Sequence, residues 1–396
     1  MLALTTPLDS PSPSSIESVD QERLAWLALV LTPGLGPRRI LSAVRQVGST
    51  EVILQMPLTG LESLNFPAQA VQFIADGQAL SAANEELEAL QKSGGSFLTY
   101  NDPDYPQRLR EIFDAPALLW IRGDATLLAK SAIAVVGTRH PTPYGSGMAE
   151  MLSRDLAMRG MIILSGMARG VDTAAHKGAL AAKGKTVAVW GTGIDVIYPK
   201  ENKSLAEQIL SSGGTIVSEF PMGTFPAPQN FPKRNRILSG MSVGVLVVEA
   251  GEHSGTRVTA RCALEQNRDV FAVPGNVTTK NAWGPNTLIK QGAKLVATWE
   301  DVWEDLPSQI RLEIESTWEL ASNGHSTASL FEEAPLPPAE SKIMSVLRHD
   351  EALQLDEIME KLEPELSSSE VFTALFELEL AGRVKQLPGK NYVKTF

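Results

Sequence analysis

Ala132-Ile133-Ala134-Val135-Val136-Gly137-Thr138 reads as one buried strand closed by a glycine turn, and the pattern recurs through the middle of the chain. Met161 to Gly166 (MIILSG), Thr186 to Gly191 (TVAVWG), Thr215 to Glu219 (TIVSE), Val243 to Ala250 (VGVLVVEA), Asp269 to Gly275 (DVFAVPG) and Lys294 to Trp299 (KLVATW) repeat it. Runs that are apolar at every position, rather than at every second one, belong to strands covered on both faces. Amphipathic stretches of helical period separate them. Residues 95–306 therefore predict an α/β domain, a Rossmann-like doubly wound and mostly parallel sheet.

Working outward, residues 21–94 carry only helical spacing (LAWLALVLT, RRILSAVRQVG, ALSAANEELEALQKSG), broken by Pro33-Gly34 and Gly60, and predict a small all-helical domain. Residues 1–20 are rich in Ser and Pro and read as a disordered lead. Residues 307–335 read as a linker, and 336–396 as three short helices followed by two strands around Leu387-Pro388-Gly389, the pattern of a winged-helix domain.

The 396 residues are enough for several domains with sizeable cores, and 43% of them are hydrophobic. No apolar run is long enough for a membrane helix, and the N-terminus lacks the charged start of a secretory signal, so a cytoplasmic protein without a membrane partner is expected. A single cysteine, Cys262, excludes an internal disulfide and a Cys-based zinc site; no metal and no cofactor are expected. The net charge of −11 is unevenly spread. Acids crowd the region from Glu300 to Leu380, whereas between residues 131 and 200 there are 8 Lys/Arg against 4 Asp/Glu. A basic middle joined to an acidic C-terminal third leaves a polyanionic partner open.

Ligands of an open parallel sheet gather beyond the carboxyl ends of its strands, where helix N-termini aim their amides. Three strands here end in glycine turns. The first gives Gly137-Thr138-Arg139; the second Ser165-Gly166 through Arg169-Gly170, with Asp172 and His176 on the next helix; the third Gly191-Thr192-Gly193, then Tyr198-Pro199-Lys200 and Lys203. Such turns suit phosphate, although tight strand-to-helix connections alone would use the same glycines. Neither a G-x-G-x-x-G fingerprint on the first helix nor a P-loop is present, which demotes dinucleotide and ATP chemistry. Phe231, Lys233, Arg234, Asn235 and Arg236 set three cations and a ring at a helix start, the composition of a sequence-tolerant single-strand platform. Ser254-Gly255 opens a further helix suited to an anion. In the helical unit, Thr32 to Arg39 (TPGLGPRR) has the P-G-x-G spacing of a helix-hairpin-helix loop, and a plain turn between packed helices explains it equally well. The last helix of the winged domain, from Ser367 to Ala381, bears Glu370, Glu377 and Glu379 without Lys or Arg, so phosphate would repel it and a protein partner fits better.

Together these motifs resemble the DNA-processing protein A family (DprA, also called Smf). The likeness runs through Gly137-Thr138-Arg139 with Tyr144-Gly145, Ser165-Gly166 to Arg169-Gly170, Asp172 and Ala175-His176, Gly191, Gly193 and Asp195 with Tyr198-Pro199, Ser218-Glu219, Phe231-Pro232 with Arg234-Asn235-Arg236, Val248-Glu249 with Ser254-Gly255, and Val273-Pro274-Gly275. The resemblance implies a non-enzymatic protein that binds single-stranded DNA, forms a homodimer, protects incoming DNA in natural transformation and assists loading of the RecA recombinase. It also implies that Arg139 is the strand-binding arginine and that Lys200 or Lys203 is the second basic position. The competing expectation is an enzyme acting on a nucleotide or its phosphoribosyl bond, with Glu249 as acid or base and Arg236 as phosphate clamp. A Ser165-His176-Asp172 hydrolytic set can be drawn, but no G-x-S-x-G elbow supports it.

Overall fold

The computed structural model describes residues 13–252, 254–322, 337–348, 351–381 and 383–394. Its centre is a nine-stranded sheet built from β1 (Ser96–Thr99), β2 (Leu118–Gly123), β3 (Ala132–Val136), β4 (Ile162–Ser165), β5 (Thr186–Trp190), β6 (Thr215–Ser218), β7 (Gly244–Val247), β8 (Asp269–Ala272) and β9 (Lys294–Leu295). The spatial order is β1-β2-β6-β5-β4-β3-β7-β8-β9, and β3 to β9 are all parallel. Within it, β5-β4-β3-β7-β8-β9 is the doubly wound Rossmann order, whose crossover direction reverses between β3 and β7. The expected fold is observed.

Two strands escaped the sequence reading. β2 pairs antiparallel with β6, and β1 antiparallel with β2, extending the sheet toward the helical unit. Trp120 of β2 is fully buried and donates its indole N–H to Glu86 Oε1 at 2.7 Å; the same oxygen accepts the Met222 amide at 2.7 Å. One carboxylate thus joins the helix Gln78–Ser93 to the sheet and to the loop after β6, and burial pushes its pKa up. Trp26, Leu27 and Leu29 of the helical unit and Leu119 and Trp120 of the sheet lie in one hydrophobic cluster, so the two units share a core.

Two boundaries move. The first helix runs Pro13–Leu31, so residues 13–20 are helical and not lead; residues 1–12 lie outside the described residues. The expected linker begins with the helix Ser308–Ser322, whose Ile310 and Ile314 are buried in the second cluster beneath the sheet. Glu313 accepts from the Ser131 amide and hydroxyl at 3.3 Å and 2.9 Å, which fixes that helix to the start of β3. Residues 323–336 of the expected linker lie outside the described residues.

The C-terminal unit is the expected winged helix: helices Pro338–Val346, Leu355–Leu362 and Ser368–Leu380 with β10 (Leu353–Gln354), β11 (Val384–Leu387) and β12 (Asn391–Lys394). It has a separate core around Ile343, Ile358, Leu375 and Leu378. Ser367 and Glu370 cap the last helix reciprocally. Among the described residues no helix is long and apolar enough to cross a membrane, and no cluster of His, Cys, Asp and Glu could hold a metal ion.

Candidate nucleic-acid interface

The turns after β3, β4 and β5 converge with the first turn of the helix Asn230–Met241, as expected for the crevice beside a crossover reversal. Val136, Gly137, Thr138 and Arg139 line a cavity of about 420 Å³ together with Asn235, Gly255 and Asn281. A smaller one of about 150 Å³ adjoins it, lined by Arg139, Gly166, Arg169, Gly191, Tyr198 and Phe231. Arg139 and Phe231 border both, so the cavities form one groove.

Glycine is required where the floor is thinnest. A Cβ on Gly166 would overlap the Arg234 guanidinium, and one on Gly170, which sits at φ +77°, would overlap the Thr138 carbonyl. A Cβ on Gly191 would come within 3.0 Å of the Phe231 ring. The ring is thereby seated on backbone, with the Arg139 guanidinium 5.6 Å from its centroid and the Tyr198 ring 5.7 Å away. Arg139 is exposed and has no carboxylate partner among the described residues. An unpaired cation beside two aromatic rings can take a phosphate while a base stacks.

The DNA recombination-mediator protein A family matches residues 96–307, the whole sheet domain, and the DprA winged helix domain matches residues 328–390. The chain belongs to the DNA recombination-mediator protein A family. It is 41% identical over 290 residues to protein Smf of Escherichia coli, covering 73% of this chain and 75% of that one. It is 32% identical over 397 residues to protein Smf of Synechocystis sp., covering 94% and 99%. The DNA processing protein A structure from Streptococcus pneumoniae superposes with a TM-score of 0.61 at 34% identity, over 72% of this chain and 98% of that one.

In this family member the expected site residues divide into groups. Gly137, Thr138, Arg139, Gly166, Arg169, Gly191, Phe231, Asn235, Ser254 and Gly255 all line the groove. Gly170 supports the Thr138 turn from behind. Arg169 is held by Glu201 on the surface. Lys200 is exposed next to Pro199, which lines the groove, and has no ion pair within 4.0 Å among the described residues, whereas Lys203 lies 4.0 Å from Glu207 one turn along its helix.

Five expectations need correction. Ser165 is fully buried and donates to the Val135 carbonyl at 2.7 Å, tying β4 to β3 rather than facing a ligand. Gly193 is closed in by Asp195 and by the Pro221 carbonyl, so it makes a turn and no binding surface. Arg234 lines both cavities but is only 6% exposed; its Nη1 donates to the Val189 carbonyl at 2.6 Å and its Nε to Asn235 Oδ1 at 3.1 Å, so its charge is held within the floor rather than standing free above it. Arg236 is bound by Asp114 at 3.0 Å and Glu219 at 2.5 Å, in a cleft facing the helical unit. Lys233 faces that cleft too. Helical periodicity explains the split: cations at three of four consecutive positions cannot share one helix face.

The residues offered for catalysis are not assembled. Glu249 Oε1 accepts the Thr142 hydroxyl at 2.5 Å, and Oε2 accepts the Thr142 amide at 2.9 Å and Asn281 Nδ2 at 3.3 Å, so the carboxylate clamps loops. Arg236 is in another cavity. Asp172 Oδ2 accepts the Gly166 and Ala168 amides at 3.1 Å and 3.2 Å and its side chain also meets Ser165, but His176 Nδ1 is engaged by Thr186 Oγ1 at 2.7 Å, so no histidine serves the serine. Tyr198 and Asn281 are groove residues that the expected set omitted. Tyr198 had a signal in Tyr198-Pro199, whereas nothing in the sequence around Asn281 marks it.

His176 carries a pH prediction. Burial, aided by the Arg234 charge, drops its pKa from 6.5 to about 3. The unfolded chain then binds a proton that the folded one refuses, so stability is lost as pH falls below 6.5. By pH 5 this one group costs about 2 kcal/mol. Asp172, whose pKa burial raises, opposes it. Urea titrations at pH 7 and pH 5 should show an acid-induced loss that is about 2 kcal/mol smaller in His176→Gln. An identical loss in both proteins would mean that His176 protonates freely in the fold.

Proposed function

We propose that this chain binds single-stranded DNA through the groove between β3 and β7, protects incoming strands in natural transformation and hands them to the RecA recombinase. The carrying observation is the triad of Arg139, Phe231 and Tyr198 over glycine turns. A cation for phosphate and rings for bases bind strands with little regard to sequence. A duplex keeps its bases stacked and cannot offer them to rings set in a groove. Family membership supports a role on DNA, and a homodimer working in the cytoplasm without catalysis fits the same reading.

The last helix of the winged domain suits a protein contact better than duplex DNA. It exposes Phe372 and Phe376 among glutamates and has no cation. A truncation probing this domain must keep residues up to 322, because Ile310 and Ile314 belong to the sheet domain's core.

The test is protection and transfer. Purified protein should slow digestion of a single strand by a single-strand exonuclease and should raise the rate at which RecA assembles on that strand. Equal digestion with and without protein would remove the protective role; unchanged RecA assembly would remove the loading role.

A further inference from the structure

The helical unit and the sheet domain leave between them a cleft of about 840 Å³. Arg38 and Arg39 enter it from the helical unit, Lys233 and Arg236 from the sheet domain. The cleft's two acids, Asp114 and Glu219, are both engaged by Arg236. Arg38, Arg39 and Lys233 are exposed, and among the described residues none forms an ion pair within 4.0 Å, although Glu219 feels the Lys233 charge and Arg39 Nη1 donates to the Gly34 carbonyl at 3.3 Å. Exposed cations brought to one cavity by two domains create a field that favours an anion.

The local chemistry repeats that of the groove. The Arg38 guanidinium lies 4.0 Å from the centroid of the Phe113 ring, which is 80% exposed. Nothing lies within 4 Å of where a Cβ of Gly36 would sit, so the loop before Arg38 is open to close approach by a ligand. Both cavities are lined from one helix start. Phe231 of the helix Asn230–Met241 borders the groove, and Lys233, two residues on, borders the cleft.

We infer that a single strand leaving the groove passes Lys233 and enters this cleft, where Arg38 and Arg39 take further phosphates and Phe113 stacks on a base. The inference rests on the strand-binding reading of the groove and extends it to the helical unit. It gives the P-G-x-G loop a role that a plain interhelical turn lacks. The occupant is continuous phosphodiester chain, since cations flanking an exposed ring match a nucleotide repeat.

The experiment uses the full chain, the variant Arg38→Gln/Arg39→Gln, and two deoxythymidine oligonucleotides, one just filling the groove and one several times longer. Anisotropy titrations should show an unchanged Kd for the short strand. For the long strand the double variant should bind roughly tenfold more weakly at low salt, and the slope of log affinity against log salt should flatten by about 1.4, two contacts at about 0.7 each. Phe113→Ser should show the same length-dependent loss, which separates the effect from misfolding. A long-strand affinity and slope equal to wild type would overturn the inference while leaving the groove intact. Equal loss on both strands would overturn it as well, since the arginines would then act at the groove or on the fold. Excess deoxythymidine monophosphate that abolishes only the long-strand increment would show a mononucleotide site instead. Wild-type protein that binds neither strand would remove the groove reading and this inference together.

Discussion

Replacing Arg139 by alanine is expected to weaken single-strand binding by roughly tenfold to a hundredfold, the worth of one charge-assisted contact of about 1.5–3 kcal/mol. The guanidinium is exposed, lies over the Phe231 ring and is repelled by the Arg234 charge beneath it, so stability should stay within about 0.5 kcal/mol of wild type. The loss should be the same for every base composition, because a phosphate contact carries no sequence information. The salt slope should flatten by about 0.7. Anisotropy titrations on homopolymeric strands measure all three. A loss confined to one sequence would show that Arg139 reads a base edge, and no loss would detach the groove from DNA.

Arg234→Ala is expected to act on the fold. The arginine is built into the groove floor, interacts with the buried Asp172 and donates to the Val189 carbonyl. Removing it takes away the cation that offsets the buried Asp172 carboxylate and a donor to the Val189 carbonyl, which should cost about 3–5 kcal/mol. Binding should fall only through loss of the folded state and of the floor beneath Gly166. Urea denaturation decides the matter. Wild-type stability combined with a flattened salt slope would return Arg234 to the set of direct phosphate contacts.

The contrast between these two arginines shows what the sequence holds and what it hides. Strand runs such as AIAVVGT and VGVLVVEA announce the parallel sheet, since burial on both faces demands apolar residues at every position, and their glycine turns point to the groove. β1 and β2 are less legible: Ser96–Thr99 is four residues long, and Trp120 and Arg122 interrupt the aliphatic pattern of the second. The helix Ser308–Ser322 is less legible because, among the residues whose burial is described, Ile310 and Ile314 alone mark its buried side in a polar stretch. For the site, residue type was readable but facing was not. Arg234, Arg236 and Lys233 sit within four positions, yet one is buried, one is held by two carboxylates and one opens onto a second cleft. A motif of cations names a surface only after the helix's rotation is known. The two carboxylates that hold Arg236 come from distant segments, and no local pattern could foretell them.

The proposed function stands on the β3–β7 groove gripping a single strand. Wild-type protein titrated with a short single strand and with a duplex of the same length, at several salt concentrations, addresses it most directly. Arg139 and Lys200, with Arg169 exchanging its exposed Glu201 partner for a phosphate, give an expected slope near −2 for the short strand, at about −0.7 per contact, with the duplex bound far more weakly. A slope near zero, or a duplex bound as tightly as the single strand, would contradict it.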